Sequence, residues 1–153
     1  MWQLNLPTYN FRVIKKNEKP FIFDEFRKKF VALTPEEWVR QHFIRFLIEV
    51  KHYPASLLAI EKQLVINGLK KRCDAVLYNR NAEPLMIIEF KAPNISISQQ
   101  TFDQAAVYNS KLKVDYFIIS NGLQHYCCRL ETEMPQYNFL QDIPDFDTLV
   151  AEK

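Results

Sequence analysis

Residues 34–54 carry the clearest helical pattern of hydrophobic and polar positions in the chain. Thr34 can cap a helix N-terminus, Pro35 suits the first helical position, and Pro54 cannot continue a helix. The apolar positions that share one face at helical spacing are Trp38, Val39, Phe43, Phe46, Leu47 and Val50. We therefore predict an amphipathic helix that begins after Thr34 and packs this face against the core.

The pattern then changes to one that is typical of β-strands. Asn67 and Gly68 both tolerate positive φ, so they indicate a tight hairpin between antiparallel strands at 58–66 and 70–78. The segment LMIIEFKA at 85–92 is apolar on both faces, as expected of a covered central strand. These three strands are predicted to form a meander.

A second helix and two further strands follow the meander. Ser96 or Ser98 can cap a helix that extends to residue 112, and strands are predicted on either side of Asn121 and Gly122. The predicted order is helix, three strands, helix, two strands. This order predicts an α/β (α+β) fold with a mixed central sheet flanked by helices.

The ends of the chain have weaker patterns. Residues 1–33 show no clean period and are predicted to hold one or two short strands, and 132–153 should be a mostly irregular acidic tail with one short helix. A chain of 153 residues leaves no room for a second domain of ordinary size. We therefore expect a single domain over 1–153, made of an N-terminal extension (1–33), a core (34–131) and the tail.

Composition excludes several classes of protein. With only two glycines, Gly68 and Gly122, the chain cannot contain a phosphate-binding P-loop or a GxGxxG dinucleotide turn. This rules out an ATPase motor and a nicotinamide dehydrogenase within these residues. The three histidines and three cysteines lack the spacing of zinc ligands, and the odd cysteine count makes a disulfide framework unexpected.

Charge and hydropathy suggest a compartment and a class of partner. No signal peptide pattern opens the chain and no apolar run approaches the length of a membrane span, so we expect a cytoplasmic protein that does not enter a membrane. Residues 1–113 hold 18 basic and 11 acidic side chains, whereas 114–153 hold 2 and 7. A net charge of +7 on the body suits an anionic partner such as nucleic acid, although an ordinary solvated surface has the same composition.

The candidate chemistry lies on two of the predicted meander strands. Strand alternation puts Glu89 and Lys91 on one face of a central strand, and Asp74 lies on the preceding strand, 14 residues away. Charged groups in such a strand cost several kcal/mol unless they are paired, bound to metal or placed at a cleft. One interpretation is structural: Glu89 pairs with Lys91 or Arg72, and Asp74 is a surface acid.

The other interpretation is a magnesium site. Two converging carboxylates and a backbone carbonyl are ligands that suit Mg²⁺, which can polarise a phosphodiester and lower the pKa of a bound water. A neighbouring lysine can orient that water or stabilise the charge that builds on the phosphoryl oxygens. These are the requirements of phosphodiester hydrolysis.

The pattern Asp74, 14 residues, Glu89-Phe90-Lys91 resembles the PD-(D/E)xK nuclease superfamily, a restriction-endonuclease-like class whose core has the same order of elements. More narrowly, TPEEWVRQHFIRFL, KKRCDAVLYN, IIEFKAP and QAAVY resemble the N-terminal nuclease domain of type I restriction enzyme R subunits. The resemblance covers about residues 20–131. Cys73 stands where the family nominally has proline, which is a common departure.

The resemblance implies a role for each matching residue. Asp74 and Glu89 would be the catalytic, metal-binding acids, Phe90 would lend its carbonyl to the metal, and Lys91 would be the catalytic lysine. Gln104 and Tyr108 match the QxxxY element of the RecB-like branch and share one helical face, where they would bind substrate. Glu37, with Glu36 as the alternative, matches a first-helix acid that can add to the metal site.

The implied function is Mg²⁺-dependent endonucleolytic cleavage of DNA, with Mn²⁺ as a substitute. A type I R subunit joins this domain to a helicase motor, and these 153 residues contain none, so we expect a stand-alone nuclease domain. Its partner would be a separate methylase or motor protein. The alternative is a non-catalytic module on the same fold that binds nucleic acid or protein.

Overall fold

A small antiparallel sheet forms the N-terminal part of the structure, a computed structural model that describes residues 2–131 and 136–151. Its strands are β1 (Val13–Lys16), β2 (Lys19–Asp24) and β3 (Lys29–Ala32). The turns between them hold Asn17, Glu18 and Lys28 at positive φ. The sequence predicted one or two strands here, and the structure has three.

A six-stranded mixed sheet carries the rest of the fold. The elements in chain order are α1 (Pro35–Glu49), a 3₁₀ turn (Ala55–Leu57), β4 (Leu58–Ile66), β5 (Leu69–Tyr78), β6 (Pro84–Phe90), α2 (Gln99–Leu112), β7 (Tyr116–Ser120), β8 (His125–Glu131), β9 (Gln136–Leu140) and α3 (Phe146–Ala151). The strands lie in the order β4-β5-β6-β7-β8-β9. All neighbours are antiparallel except β6 and β7, which are parallel because α2 forms the crossover between them.

The predicted starts of both helices agree with the structure. Thr34 is the N-cap of α1, and its Oγ1 accepts a hydrogen bond from the Glu37 N–H at 3.1 Å. Ser98, one of the two residues predicted for this role, is the N-cap of α2, although its side chain makes no capping hydrogen bond. The predicted order of helix, meander, helix and two strands is confirmed for the central part of the chain.

The first hairpin of the meander forms at the predicted turn. Asn67 and Gly68 have φ of 51° and 77°, which is the left-handed conformation that the Asn-Gly pair was expected to adopt. The flanking strands pair in the register Ile66↔Leu69, so β5 begins one residue earlier than predicted.

Helix α1 is buried on two sides, whereas the sequence predicted one apolar face. Val39, Phe43 and Leu47 of that face are buried as expected, but Val50 is exposed. Polar residues outside the face are buried as well: Glu37, Arg40, Gln41 and His42. The additional burial arises because residues from the N-terminal segment and its small sheet pack against the other side of the helix.

The C-terminal segment is more regular than predicted. Besides the expected short helix, α3, it contributes strand β9, which pairs with β8 in the register Cys128↔Phe139. Phe146 and Leu149 of α3 are buried in the core. Part of the predicted tail, residues 132–135 and 152–153, lies outside the described residues.

The large sheet has a hydrophobic cluster on each face. On one face Phe43 of α1 packs against Phe90 of β6, with ring centroids 5.7 Å apart. On the other, Phe102 of α2 packs edge-on against Phe117 of β7 at the same distance. The predicted mixed sheet flanked by helices is therefore confirmed. Among the described helices, none has the length and apolar character needed to cross a membrane.

Candidate active site

Asp74 and Glu89 meet where the ladder between β5 and β6 ends. Backbone pairing of the two strands extends to Ala75 and Ile88. Beyond it, Asp74 Oδ2 accepts a hydrogen bond from the Phe90 N–H at 2.8 Å, and Glu89 Oε1 accepts one from the Asp74 N–H at 3.3 Å. Side-chain oxygens thus replace the ladder, and the two carboxyl groups lie in contact at one edge of the sheet.

The environment of this pair favours protonation of both carboxyl groups. The pKa of Glu89 is raised to about 9, mainly by burial and next by the adjacent Asp74 carboxylate. Burial also raises the pKa of Asp74, although the hydrogen bond from the Phe90 N–H opposes the shift. The nearby positive charges, Lys91 beside both acids and Arg40 beside Asp74, oppose the rise in pKa but do not offset it.

Lys91 lies beside the acids, and none of the residues in 2–131 and 136–151 forms a salt bridge with it. Its positive charge acts on Asp74, Glu89 and Glu36, where it opposes the rise in their pKa values. Within the described parts of the chain, Glu89 forms no ion pair with Lys91 or Arg72, and the Arg72 guanidinium lies 3.8 Å from Glu61 instead. The structural interpretation of Glu89 as half of an ion pair is therefore wrong.

The backbone around Phe90 is fixed from both sides. The Phe90 N–H donates a hydrogen bond to Asp74 Oδ2, and the Lys91 N–H donates one to the Ser120 carbonyl at 2.9 Å. The Phe90 ring is buried against Phe43. Because the ring packs in the core, the residue borders the site through its main chain. This arrangement is compatible with a metal-binding carbonyl at Phe90.

A cavity of about 240 Å³ opens over the acids and the lysine. Residues of β5, β6, α1 and α2 line it: Glu36, Lys71, Asp74, Glu89, Phe90, Lys91, Gln104, Val107 and Tyr108. A larger cleft of about 580 Å³ adjoins this cavity and shares Glu36 and Asp74 with it. The structure thus gathers seven of the candidate residues named from the sequence around one cavity: Glu36, Asp74, Glu89, Phe90, Lys91, Gln104 and Tyr108.

The two residues from α2 differ in their surroundings. The Tyr108 hydroxyl donates a hydrogen bond to the Arg72 carbonyl at 2.9 Å, which ties α2 to β5, and burial raises the pKa of this phenol to about 12. Gln104 is one turn earlier on the same face and is exposed to the cavity. Its amide is therefore accessible to a ligand, whereas Tyr108 is held by the protein.

The first-helix acid at the cavity is Glu36, whereas the sequence favoured Glu37. Glu37 is bound by the guanidinium groups of Arg27 and Arg40, so its carboxylate is committed to a buried ion network. Burial raises the pKa of Glu36, and the negative charge of Asp74 adds to the rise, which shows that Glu36 faces the acid pair. The expectation for Glu37 is corrected accordingly.

A signal for Glu36 was present in the sequence. Glu36 precedes Phe43 by seven residues, or about two helical turns, and therefore shares its face. Phe43 packs on Phe90, at the end of β6 that carries Glu89 and Lys91. Lys71, which also lines the cavity, was missed because nothing in the motif pointed to it.

The ion network beside the cavity joins three parts of the fold. Arg27, which follows β2, binds Asp24, Glu37 and, at 2.9 Å, Glu61 of β4. Arg40 of α1 is buried and bridges Glu37 and Asp24. The network fixes the first sheet and α1 against β4, next to the acid pair.

The donor set at the acid pair fits magnesium better than a transition metal. In residues 2–131 and 136–151, no group of three or more His, Cys, Asp and Glu side chains is placed to hold a metal ion. One or two carboxylates with waters completing the shell are nonetheless the usual magnesium ligands, and the donors here are all oxygens. A zinc site of nitrogen and sulfur ligands has no counterpart at this edge.

Comparison with protein families places this chain in a known group. A family described as the type I restriction enzyme R protein N terminus (HSDR_N) matches residues 35–144. The match includes every element from α1 to β9, and the chain belongs to this family. A comparison with curated proteins gives no match.

Solved structures show the same fold. A fragment described as an HsdR subunit of a type I restriction enzyme from Vibrio vulnificus YJ016 is 21% identical and superposes with a TM-score of 0.58 over 79% of this chain. The chain spans 25% of that protein's length. A protein from Anabaena variabilis ATCC 29413, described as a nuclease belonging to DUF820, is 11% identical with a TM-score of 0.50, over 92% of this chain and 88% of that one. The predicted restriction-endonuclease-like fold is thus confirmed.

Proposed function

We propose that this chain is a metal-dependent nuclease domain that hydrolyses phosphodiester bonds in DNA. The observation that carries the proposal is the contact between Asp74 and Glu89, two partly buried carboxyl groups with raised pKa values, next to Lys91 in an open cavity. A like-charged pair of this kind costs folding free energy, so it requires a function. Membership of the type I R protein N-terminal family supports a nuclease.

The residues that would hold the metal are Asp74, Glu89 and the carbonyl of Phe90, and Glu36 can add a further carboxylate. Magnesium is the proposed ion, with manganese as a substitute, because every donor is an oxygen. A bound divalent cation supplies Lewis acidity toward the phosphodiester and lowers the pKa of a coordinated water. Its positive charge would also offset the burial and the Asp74 charge that raise the pKa of Glu89.

Lys91 is proposed as the catalytic lysine. It follows Glu89 by two residues, its charge acts on both acids, and no described residue binds it in a salt bridge. The ammonium group is therefore available to orient the attacking water and to stabilise negative charge on the phosphoryl oxygens. Gln104 is proposed to bind the substrate through its exposed amide, and Tyr108 to position α2 and to border the substrate.

The biological setting follows from the family. We propose residues 34–131 as the nuclease core, with 1–33 as an extension and 132–153 as the tail. The relation to an R protein supports DNA as substrate and a methylase or motor protein as the partner. The three cysteines Cys73, Cys127 and Cys128 are free and buried, which agrees with a reducing cytoplasm.

The test is cleavage of supercoiled plasmid and single-stranded DNA with Mg²⁺ or Mn²⁺, by the wild-type chain and by Lys91→Ala. We expect metal-dependent cleavage that the substitution abolishes. Lys111→Ala is the matched control, because Lys111 is an exposed lysine on α2 that does not line the cavity, and it should cleave normally. Wild-type binding to DNA without cleavage under any of these conditions would favour the non-catalytic module.

A further inference from the structure

The β4–β5 hairpin extends past the acid pair and is strongly basic. Residues 62–73, which we call the basic hairpin, contain no acidic side chain and four cations: Lys62, Lys70, Lys71 and Arg72. All four are exposed, and the Arg72 side chain has 60% of its surface accessible. No part of the nuclease motif requires this charge.

Protection of the sheet edge explains only part of this charge. Edge strands often carry lysine to prevent pairing with other chains, and Lys62 lies on β4, which is an edge of the large sheet. Residues 70–72 of β5 also lie beyond the β5–β6 ladder, which ends at Ala75 and Ile88. Edge protection does not account for the position of Lys71 at the cavity of the acid pair, where a ligand would meet it.

The register of the hairpin separates the two adjacent lysines. Lys71 lies opposite Leu64, whose side chain is buried beneath α2, so Lys71 is on the α2 face and borders the cavity. Lys70 lies opposite Val65 on the other face. That face carries Gln63, Val65, Lys70 and Arg72, and each of these four described residues is exposed.

The hairpin is close enough to the acids to hold the same molecule. Lys71 precedes Asp74 by three residues, or about 10 Å along a strand, which is about the axial rise of three nucleotides in one chain of a duplex. Lys70 projects from the opposite face, where a single polynucleotide chain in the cavity would not pass. Two phosphate chains, as in a duplex, can contact both faces.

We propose that the basic hairpin binds the phosphate backbone of duplex DNA, with Lys71 contacting a phosphate about three nucleotides from the one at the acid pair and Lys70 contacting a phosphate on the outer face. This inference rests on the proposed function, since it assumes that DNA occupies the cavity. It assigns substrate positioning to residues outside the Asp74, Glu89 and Lys91 motif. The contacts are to phosphates, so they add affinity without base specificity.

The chain offers a matched pair of lysines for the test. Lys70→Ala/Lys71→Ala removes two adjacent cations from an exposed strand next to a hairpin turn. Lys15→Ala/Lys16→Ala removes two adjacent cations from β1, which is also exposed and also borders a hairpin turn. The two double variants have the same net charge, so any difference in DNA binding between them depends on where the lysines lie.

Binding of a short fluorescently labelled DNA duplex is measured in EDTA, where the metal is absent and the probe stays intact, from about 0.05 to 0.2 M salt. Each lost phosphate contact lowers the slope of log K against log salt by about 0.9. We expect Lys70→Ala/Lys71→Ala to lose about 1.8 in slope and about tenfold in affinity at the middle of this range, with unchanged circular dichroism. Lys15→Ala/Lys16→Ala should bind as the wild type does.

An equal effect of both pairs, or no effect of either, overturns the proposal. Cleavage by the wild type with unchanged duplex binding in Lys70→Ala/Lys71→Ala would remove the role of the hairpin and leave the proposed nuclease intact. Loss of binding in that variant, with no cleavage by the wild type under any metal condition, would support the hairpin and refute the nuclease. The two failures are therefore distinguishable.

Discussion

Replacement of Glu89 by glutamine should stabilise the chain in the absence of metal. Glutamine keeps the shape of the side chain and retains an oxygen that can accept the hydrogen bond from the Asp74 N–H. It removes the group whose pKa burial and Asp74 raise from 4.5 to about 9. The substitution thus deletes an unfavourable charge and preserves the local contacts.

The size of the effect follows from proton linkage. A carboxyl group with a raised folded-state pKa contributes stability below its unfolded pKa, and that contribution is lost as pH rises toward the folded value. At pH 7 the cost relative to the unfolded chain is about 1.36 kcal/mol for each of about 2.5 pH units, or about 3 kcal/mol. Since Asp74 shares this environment, we take about 3 kcal/mol as the upper bound. For a chain of this size, the midpoint would rise by at most about 10 °C.

Thermal melts at pH 7 in EDTA, followed by circular dichroism, measure this change. The matched control is Glu25→Gln, in a residue whose side chain is 64% exposed, and it should change the free energy of unfolding by no more than about 0.5 kcal/mol. Manganese should stabilise the wild type and leave Glu89→Gln nearly unaffected. A metal-free Glu89→Gln that melts below the wild type would refute the account of the acid pair.

Three further substitutions test other parts of the structure. Gly68→Ala should lose about 1 kcal/mol in chemical denaturation, because φ is +77° and the added methyl has open space around it, so the cost is conformational. Asp24→Asn should lose about 1–3 kcal/mol at neutral pH and weaken the dependence of stability on acid. Burial raises the pKa of Asp24, but hydrogen bonds from Arg27 and the Phe26 N–H, together with the charge of Arg40, lower it below 3.8 overall. The stability that this carboxylate contributes is therefore present above that pH and is lost below it. Gln104→Ala should fold normally, since Gln104 is exposed, yet bind or cleave DNA more weakly; full activity with lost stability would show a structural role instead.

The central part of the fold was predictable because local signals agreed with one another. Thr34, Pro35 and the apolar face of α1 fixed the first helix, and Asn67-Gly68 fixed the hairpin and therefore the register of β4 and β5. The pairing of β5 with β6, in which Ala75 lies opposite Ile88, then brings Asp74 and Glu89 to one edge. The candidate site residues other than the α1 acid could be predicted from β5, β6 and one face of α2.

The first sheet and β9 were harder to predict. The turns of the first sheet hold Asn17, Glu18 and Lys28 at positive φ without glycine, so they lack the usual turn signal. Strand β9 is a five-residue strand at the sheet edge that exposes Phe139, so its short sequence carried too weak a signal to separate it from the predicted tail. Both elements are defined by their tertiary neighbours.

The choice between Glu36 and Glu37 could have been made from helical spacing. Adjacent helical residues lie about 100° apart, and Glu36, seven residues before Phe43, shares the face that packs on the sheet. The buried Arg40 and the neighbouring Arg27 bind Glu37, which leaves Glu36 at the cavity. The part that no local pattern contained is this ion network, because Arg27 reaches Glu37 only through the tertiary fold.

Titration of the wild-type chain with Mn²⁺ by isothermal calorimetry tests the central claim most directly. We expect one ion per chain, bound with release of a proton at neutral pH because Glu89, whose pKa is raised to about 9, holds a proton before the metal arrives. Asp74→Asn should abolish this binding, while Asp103→Asn, which changes an exposed aspartate on α2, should retain it. Equal binding in wild type and Asp74→Asn, or no binding to a folded wild-type chain, would contradict the assignment of Asp74 and Glu89 as a metal centre.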